Sequence, residues 1–198
     1  MKTFSTTHDS TALFPLPYRG HFSAHREDIF SEDEFPLAVI WLTDHPDLGL
    51  HTHDFTELVL VLDGSARHMT EEGEYLIHPG DVFVIPPGVA HGYTGCDGLE
   101  LVNIVYETTR LNLPNTSLMG FPGYRALFTL EPAFRSRHEF KGRLHLPPHK
   151  CREVTQLVSD LQEELWHHKD GFHFICLTLL MQIIGLLSRI YTEMETST

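Results

Sequence analysis

Cysteine and basic residues are both scarce in this chain of 198 residues. Its three cysteines, Cys96, Cys151 and Cys176, are scattered and form no CxxC pair, so we expect no disulfide and a reducing compartment. Lysine and arginine number 14 against 27 aspartates and glutamates, which gives a formal net charge of −13. Because binding to the phosphates of nucleic acid requires a basic surface, we do not expect this chain to contact DNA itself.

Long apolar runs and phosphate-binding loops are also lacking. The N-terminus has no apolar segment of the signal-peptide type, and neither GxxxxGK[ST] nor GxGxxG occurs. The most apolar stretch, residues 172–191, is interrupted by Thr178, Gln182 and Ser188, so its unbroken part is shorter than the roughly 20 residues that a bilayer requires. We therefore expect a cytoplasmic protein without membrane contact.

Histidine and glutamate are concentrated in one motif. His51, His53 and Glu57 have the same parity, which predicts that they share one face of a strand. His91 follows a turn and offers a further imidazole. Such a set suits a divalent transition metal, with Zn, Ni, Fe or Mn as candidates. The alternative is that the four side chains line a pocket and hydrogen-bond to each other, to water or to a sugar.

A second group of residues favours binding of a small molecule. His91 and Tyr93 lie two residues apart, so both can face an interior, and Tyr93 offers a ring and a hydroxyl to a sugar. Asn103 is the uncharged polar residue of the mostly apolar run 99–106. Trp41 is a further aromatic candidate, although ordinary core packing is the better explanation for it. The predicted ligand-binding set is His51, His53, Glu57, His91, Tyr93, Asn103 and Trp41.

Short strands and two helices make up the predicted architecture. Runs rich in β-branched and aromatic residues, bounded by Gly, Pro or Asp, predict strands over 37–42, 57–62, 66–70, 74–77, 81–85 and 99–106. Apolar spacing of three and four residues predicts an amphipathic helix from about residue 149, and residues 172–191 predict a second helix that must be covered. We divide the chain into an N-terminal arm (1–35), a barrel (36–148), a helical dimerisation segment (149–192) and a linker stub (193–198).

The two halves of the histidine motif carry a family resemblance. HxHxxxE-x6-G, from His51 to Gly64, and G-x5-PxG-x2-H, from Gly80 to His91, resemble the two-part signature of the cupin barrel. The pattern departs at two points, because no glycine stands six residues before His51 and Gly95 replaces a usual asparagine. The fold class implied is mainly β, a cupin (double-stranded β-helix) barrel followed by an antiparallel pair of α-helices.

The wider sequence resembles the N-terminal effector-binding domain of AraC-type transcription regulators, most of all the activators of L-rhamnose operons. The segments HTHDFTELVLVLDG, HPGDVFVIPPGVAHGY and LELVNIVY carry this likeness. It implies a sugar-sensing domain rather than an enzyme, with His91 and Tyr93 aligned to sugar-contacting residues. That class often keeps the histidine motif without a metal, so metal occupancy stays open. The class reads DNA through helix-turn-helix units that this chain does not contain, either because it is part of a longer protein or because it stands alone.

Two expectations about partners follow. The last helix leaves no wide polar face, which predicts a homodimer through Phe174, Ile175, Leu179, Met181, Ile183, Leu186, Leu187 and Ile190. The rival to a sugar sensor is a stand-alone metal-dependent cupin enzyme, a dioxygenase or a sugar isomerase, using His51, His53, Glu57 and His91. An enzyme would also need an acid, a base or a substrate clamp beside the metal, and the sequence shows no convincing one.

Overall fold

The computed structural model describes residues 22–24, 29–30, 34–71, 73–113, 115–130 and 144–196. Its strands are β1 (Phe22–Ala24), β2 (Leu37–Leu42), β3 (Leu48–His53), β4 (Thr56–Thr70), β5 (Gly73–Ile77), β6 (Asp81–Ile85), β7 (His91–Tyr106) and β8 (Leu144–His145). Its helices are α1 (Thr108–Leu111), α2 (Asn115–Met119), α3 (Pro122–Tyr124), α4 (Pro148–His167) and α5 (Phe172–Thr196), with a π-helical turn over Arg125–Leu130.

All of these strands belong to one sheet. Its order is β1-β3-β7-β4-β6-β8, with β2 also paired to β7 and β5 to β4. Every pairing is antiparallel except that of β1 with β3. The long strands β4 and β7 each pair with several neighbours, so the sheet closes around them. The predicted fold class, a cupin barrel followed by a helical pair, is confirmed.

Before its register shifts, β4 alternates between two apolar environments. On β4, Val59 and Val61 pack inside the barrel, whereas Leu58 and Leu60 pack outside against the helices. The same alternation holds along β6 and β7, because successive residues of a strand point to opposite faces. Gly64 ends the first half of the motif with φ +71°, and a Cβ there would collide with the carbonyl of Gly98. Only glycine satisfies that close crossing of β4 and β7.

The two long helices cover the outer face of the sheet. Proline at the first position suits the start of α4, because its missing N–H would have no partner in the first turn. His168 ends α4 in the left-handed conformation, with φ 48°, and its N–H donates to the carbonyl of Glu164. Val154, Val158 and Leu161 of α4 are buried in the same cluster as the core face of α5. The four predicted segment boundaries themselves stay predictions.

Helix α5 is longer and more apolar than the sequence analysis assumed. Its residues Phe172–Met194 have a mean hydropathy of 1.8, enough by length and composition to cross a membrane. The polar residues within the helix leave its mean hydropathy high enough for a membrane span. The prediction that the apolar stretch is too short for a bilayer was therefore wrong. Part of the helix is nevertheless buried on the sheet, where Leu180, Ile183 and Ile184 are fully covered. A core helix passes the same test, and the absence of membrane contact stays a prediction.

Three predicted strands prove to be parts of two longer ones. The separate strands predicted over 57–62 and 66–70 are one strand, β4, and the predicted strand 99–106 is the second half of β7. Register shifts between Val61 and Arg67 let β4 continue through its glycine and serine without breaking. Of the predicted arm, Phe22–Ala24 form β1, and its other residues up to 28 lie outside the described residues.

Candidate functional site

One open end of the barrel contains a pocket in which histidine side chains gather. Its cavity volume is about 20 Å³, and the empty space out to the open mouth is about 430 Å³. A cavity of this volume accommodates a metal ion or a water molecule. The lining residues are Ile29, Ile40, Leu42, His45, Leu48, His51, His53, Phe55, Glu57, His91, Tyr93, Asn103 and Val105.

The histidine motif reaches the pocket from two strands rather than one. His51 and His53 end β3, whereas Glu57 belongs to β4, and residues 54 and 55 form a bend between the strands. The expectation that all three share one strand face was wrong, because a parity argument holds only within an unbroken strand. The bend nevertheless turns Glu57 back toward the histidines, and Phe55 at that bend stacks on the His53 ring at a centroid distance of 4.3 Å.

His53, Glu57 and His91 converge on one point. Glu57 Oε2 lies 3.0 Å from His53 Nε2 and 3.6 Å from His91 Nε2. One ligand atom from each of the three residues lies within 4.8 Å of the other two. His51, the fourth predicted ligand, lies beside this group, with its ring centroid 4.1 Å from that of His91. The structure therefore brings three predicted ligands together and places the fourth against them.

Backbone carbonyls fix the orientation of these imidazoles. Nδ1 of His53 lies 2.7 Å from the carbonyl of Phe55, and Nδ1 of His51 lies 3.1 Å from that of Gly49. The contact of His91 Nδ1 with the carbonyl of Val89 is 3.3 Å. A carbonyl only accepts hydrogen bonds, so each Nδ1 carries the proton and each Nε2 is the acceptor nitrogen. Histidines that ligate metals are held by the same kind of second hydrogen bond.

This arrangement places two acceptor atoms face to face. His53 Nε2 and a Glu57 carboxylate oxygen are 3.0 Å apart, yet their geometry makes no hydrogen bond. Two acceptors that close require a proton or a cation between them. The donor set of two imidazole nitrogens and a carboxylate, buried and preoriented, therefore fits a divalent transition metal.

Burial keeps the neighbouring imidazoles neutral. Desolvation is the main reason why the pKa of His91 lies well below its usual value, and the nearby His51, His53 and His68 lower it further. Desolvation likewise lowers the pKa of His51, although the Gly49 carbonyl and the Glu57 carboxylate partly oppose it. A neutral imidazole is the form that binds a metal, so these two side chains do not need to lose a proton first at neutral pH.

Three other predicted ligand-binding residues occupy different places. Tyr93 and Asn103 line the pocket, and Asn103 Oδ1 is buried without a hydrogen-bond partner among the described residues. Trp41 does not line the pocket, because Ile40 and Leu42 on either side of it face the barrel interior and alternation turns Trp41 toward the helices. All residues of Leu37–Leu42 are apolar, so the sequence did not indicate which of them face the barrel interior and which face the helices.

Two histidines of this region were missed by the sequence analysis. His45, in the loop between β2 and β3, is 8% exposed and lines the pocket. His68, on β4, is 1% exposed and lies behind the pocket, with its ring centroid 5.9 Å from that of His91. After the register shifts in β4, the even-numbered residues face inward, and His68 is one of them. The sequence does not reveal these shifts. His45 occupies the position where the cupin pattern has glycine, and that departure was the available signal.

Comparison with known proteins shows which family of ligand-binding domains the barrel resembles. Residues 41–107 match the family model for the AraC-like ligand binding domain. This range contains the motif, the second histidine half and every lining residue except Ile29 and Ile40. The range resembles the AraC-like ligand-binding domain, and the predicted resemblance to a cupin-type effector-binding domain of the AraC family is confirmed.

The similar curated proteins are transcription activators. The chain is 29% identical over 164 residues to the HTH-type transcriptional activator RhaR of Escherichia coli (strain K12), a match that covers 83% of this chain and 54% of the relative. RhaR of Shigella dysenteriae serotype 1 (strain Sd197) is 28% identical over the same shares. The chain thus spans about half the length of the curated relatives it matches.

Solved structures resemble only part of the chain. Protein NMB1881 from Neisseria meningitidis has a TM-score of 0.34 and 22% identity, covering 38% of this chain and 78% of that protein. Oxalate decarboxylase from Bacillus subtilis has a TM-score of 0.32 and 24% identity, covering 38% of this chain and 22% of the enzyme. At scores this low the fold assignment rests on the strand pairing of the chain itself.

Proposed function

We propose that the chain is the sugar-sensing domain of a cytoplasmic AraC-type transcription regulator. The observation that carries this proposal is the chemistry of the pocket, whose polar lining is rich in hydrogen-bond acceptors. Four imidazoles, one carboxylate, one phenol and one side-chain amide line it, and neither lysine nor arginine does so in the described part of the chain. Such a lining suits a ligand rich in hydrogen-bond donors, as a neutral sugar is, better than an anion.

The proposed sugar is L-rhamnose or a related deoxysugar. The resemblance to rhamnose activators motivates this choice, and the apolar lining residues suit the methyl group of a 6-deoxysugar. The cavity of about 20 Å³ does not hold a monosaccharide as it stands. Binding therefore requires a more open conformation, and a ligand that favours that conformation shifts the equilibrium toward it. A sensor needs this coupling between occupancy and shape.

A divalent transition metal is proposed in the deep part of the pocket. His53, Glu57 and His91 would hold it, with His51 beside them as a candidate fourth ligand. When bound, the metal would act as a Lewis acid toward a hydroxyl oxygen of the ligand. The protein's own contribution is the fixed direction of the three Nε2 lone pairs and the exclusion of water by the Phe55 ring.

The regulator is preferred to the cupin enzyme because of the family match and the lining. Residues 41–107 match the family model for the AraC-like ligand binding domain, and the similar curated proteins are activators. Among the lining residues outside the predicted metal group, His45 and Tyr93 are the titratable side chains, and each has its own role in the packing of the mouth. No specific observation assigns either of them to acid–base catalysis.

Dimerisation through α5 is the second part of the proposal, on a smaller surface than the sequence indicated. Ile183, Leu187 and Ile190 of the predicted interface are buried against their own chain. Phe174 and Ile175 are 71% and 42% exposed, and the remaining members are half-buried. Exposed aromatic and aliphatic side chains at one end of a helical pair suit a second copy of the chain.

Two measurements test these proposals separately. A thermal-shift screen against neutral monosaccharides should raise the melting temperature with at least one sugar, and a screen without any response would contradict the sensor. Light scattering should give about twice the chain mass of 22.7 kDa. Phe174→Glu and Leu186→Glu should give folded monomers, whereas the matched change Ile183→Glu should unfold the chain. A wild type that is already monomeric would contradict only the dimer.

A further inference from the structure

His45 stands where the sequence departs from the cupin pattern. The pattern has a glycine six residues before His51, and this chain carries a large polar ring at that place. The structure turns the ring into the pocket lining, where it is 8% exposed. Its ring lies edge-on to that of Tyr93, with a centroid distance of 5.0 Å. A substitution that puts an imidazole beside the ligand mouth changes which molecules the mouth can recognise.

The loop that carries His45 is fixed at several points. The His45 N–H donates to the carbonyl of Leu99 at 2.8 Å. Two residues on, the Asp47 carboxylate accepts from the Cys96 N–H at 2.9 Å and from the Thr94 hydroxyl at 3.3 Å. These hydrogen bonds attach the loop that carries the His45 ring to β7, the strand that also carries Tyr93. A ring held this firmly is suited to recognition, because little conformational freedom is lost when a ligand binds.

The tautomer of His45 is fixed in the same way as that of the metal-binding histidines. Nδ1 lies 2.7 Å from the carbonyl of Pro46, so Nδ1 carries the proton and Nε2 is the acceptor. Burial lowers the pKa of His45 and keeps the ring neutral at neutral pH. Within the described chain, the group able to hold a metal consists of His53, Glu57 and His91 and does not include His45.

We propose that His45 is a specificity-determining residue of the sensor: its Nε2 accepts a hydrogen bond from one hydroxyl group of a neutral polyhydroxylated ligand, beside the Tyr93 ring and the Asn103 amide. This inference rests on the proposed sugar-sensing function and adds the residue that selects among sugars. The position of one hydroxyl group would decide affinity, since a buried acceptor left without its donor costs binding energy.

Calorimetric titration of the metal-loaded full chain tests this assignment. The probe is L-rhamnose, or whichever neutral monosaccharide of the screen the wild type binds, together with its monodeoxy analogues. His45→Phe keeps a ring against Tyr93 and removes the acceptor, so affinity should fall about tenfold while metal content stays unchanged. His45→Gln restores an acceptor and should recover most of that loss. For the wild type, one monodeoxy analogue should bind about tenfold more weakly than the parent sugar. For His45→Phe, that analogue and the parent sugar should bind with equal affinity.

Each other result overturns the assignment. If the wild type binds sugar and His45→Phe binds it equally well, His45 has no role in recognition and the sensor proposal stands. If no neutral monosaccharide binds the wild type, both proposals fail. Loss of metal in His45→Phe would show that the residue acts on the metal group instead. If neither His45→Phe nor His45→Ala folds, the ring belongs to the fold and the proposal is wrong.

Discussion

The two faces of strands β4 and β7 share one backbone and have opposite characters. On the outer face, Leu58, Leu60 and Ile104 pack with the helices in a continuous aliphatic core. On the inner face, the same strands carry aliphatic residues such as Val59 and Leu101 inside the barrel, and Glu57 and Asn103 at the pocket. One face contains only groups that favour burial, whereas the other buries a carboxylate and an amide.

This difference separates stability from recognition. Aliphatic burial stabilises the fold by about 25 cal/mol per Å², whereas burying polar groups costs free energy unless they find partners. A cluster of buried acceptors is therefore unfavourable for stability by itself and becomes favourable when a cation or a donor-rich ligand binds. Substitutions on the outer face should change unfolding, and those at the mouth should change binding.

Truncation of the outer core should have the largest effect. Leu180 of α5 is fully buried between the helices and the sheet. Leu180→Ala should lower the free energy of unfolding by about 2–5 kcal/mol, because it removes apolar contacts and leaves a cavity. Urea unfolding measures the loss, and sugar affinity at a temperature where the variant stays folded should not change. A large loss of affinity in the folded variant would break the separation of the two faces.

Metal removal is the next largest expected effect. The double change His53→Ala and His91→Ala should abolish near-stoichiometric metal content, measured by elemental analysis, whereas the exposed His149→Ala should retain it. Chelation should destabilise the wild type by about 3–4 kcal/mol if the metal is present at 100 to 1,000 times its dissociation constant. A purified wild type without metal, whose melting is unaffected by added Zn, Ni, Fe or Mn, would reduce these residues to pocket lining.

Acidification should weaken the chelated protein through the buried imidazoles. Burial lowers the folded-state pKa of His45, His51 and His91 below the ordinary value of 6.5. Above about pH 6.5 these groups are neutral in both states, so their contribution is fully present; below it the unfolded chain binds protons that the folded chain does not. Stability should therefore be lost as the pH falls from 6.5 through the folded pKa values.

Urea unfolding in chelator between pH 7.5 and 5 measures this dependence. Each such histidine steepens the loss by at most about 1.4 kcal/mol per pH unit. His45→Phe should show a shallower dependence, and His149→Ala should match the wild type. An unfolding free energy that is constant or rises on acidification would contradict the burial of neutral imidazoles.

The smallest expected effect concerns Asn103. Its Oδ1 is buried at the pocket and has no hydrogen-bond partner in the portion of the chain that the structure describes. Asn103→Leu should weaken sugar binding by about 1 kcal/mol, measured by calorimetry, because a hydrogen bond to the ligand is lost. Stability should stay equal or rise slightly, since an isolated polar group leaves the interior. A marked fall in stability with unchanged affinity would assign Asn103 to the fold.

Much of this organisation was predictable from the sequence, and each miss has a physical cause. Spacing identified the histidine and glutamate motif, the turn before His91 and the helical pair, because each is a local pattern. Trp41 was misassigned since the run Leu37–Leu42 is apolar on both faces and its parity has no reference point. His45 was missed because its neighbourhood is created by hydrogen bonds between the β2–β3 loop and β7, which are distant in sequence.

The acceptor-rich mouth of the barrel is proposed to bind a neutral sugar. Calorimetric titration of the metal-loaded wild type with L-rhamnose and a panel of monosaccharides is the most direct test of this proposal. We expect saturable binding of at least one neutral sugar with one site per chain. The affinity should be lower after chelation, because the metal contributes a contact to the sugar. Absence of binding by every neutral sugar, with and without metal, would contradict it.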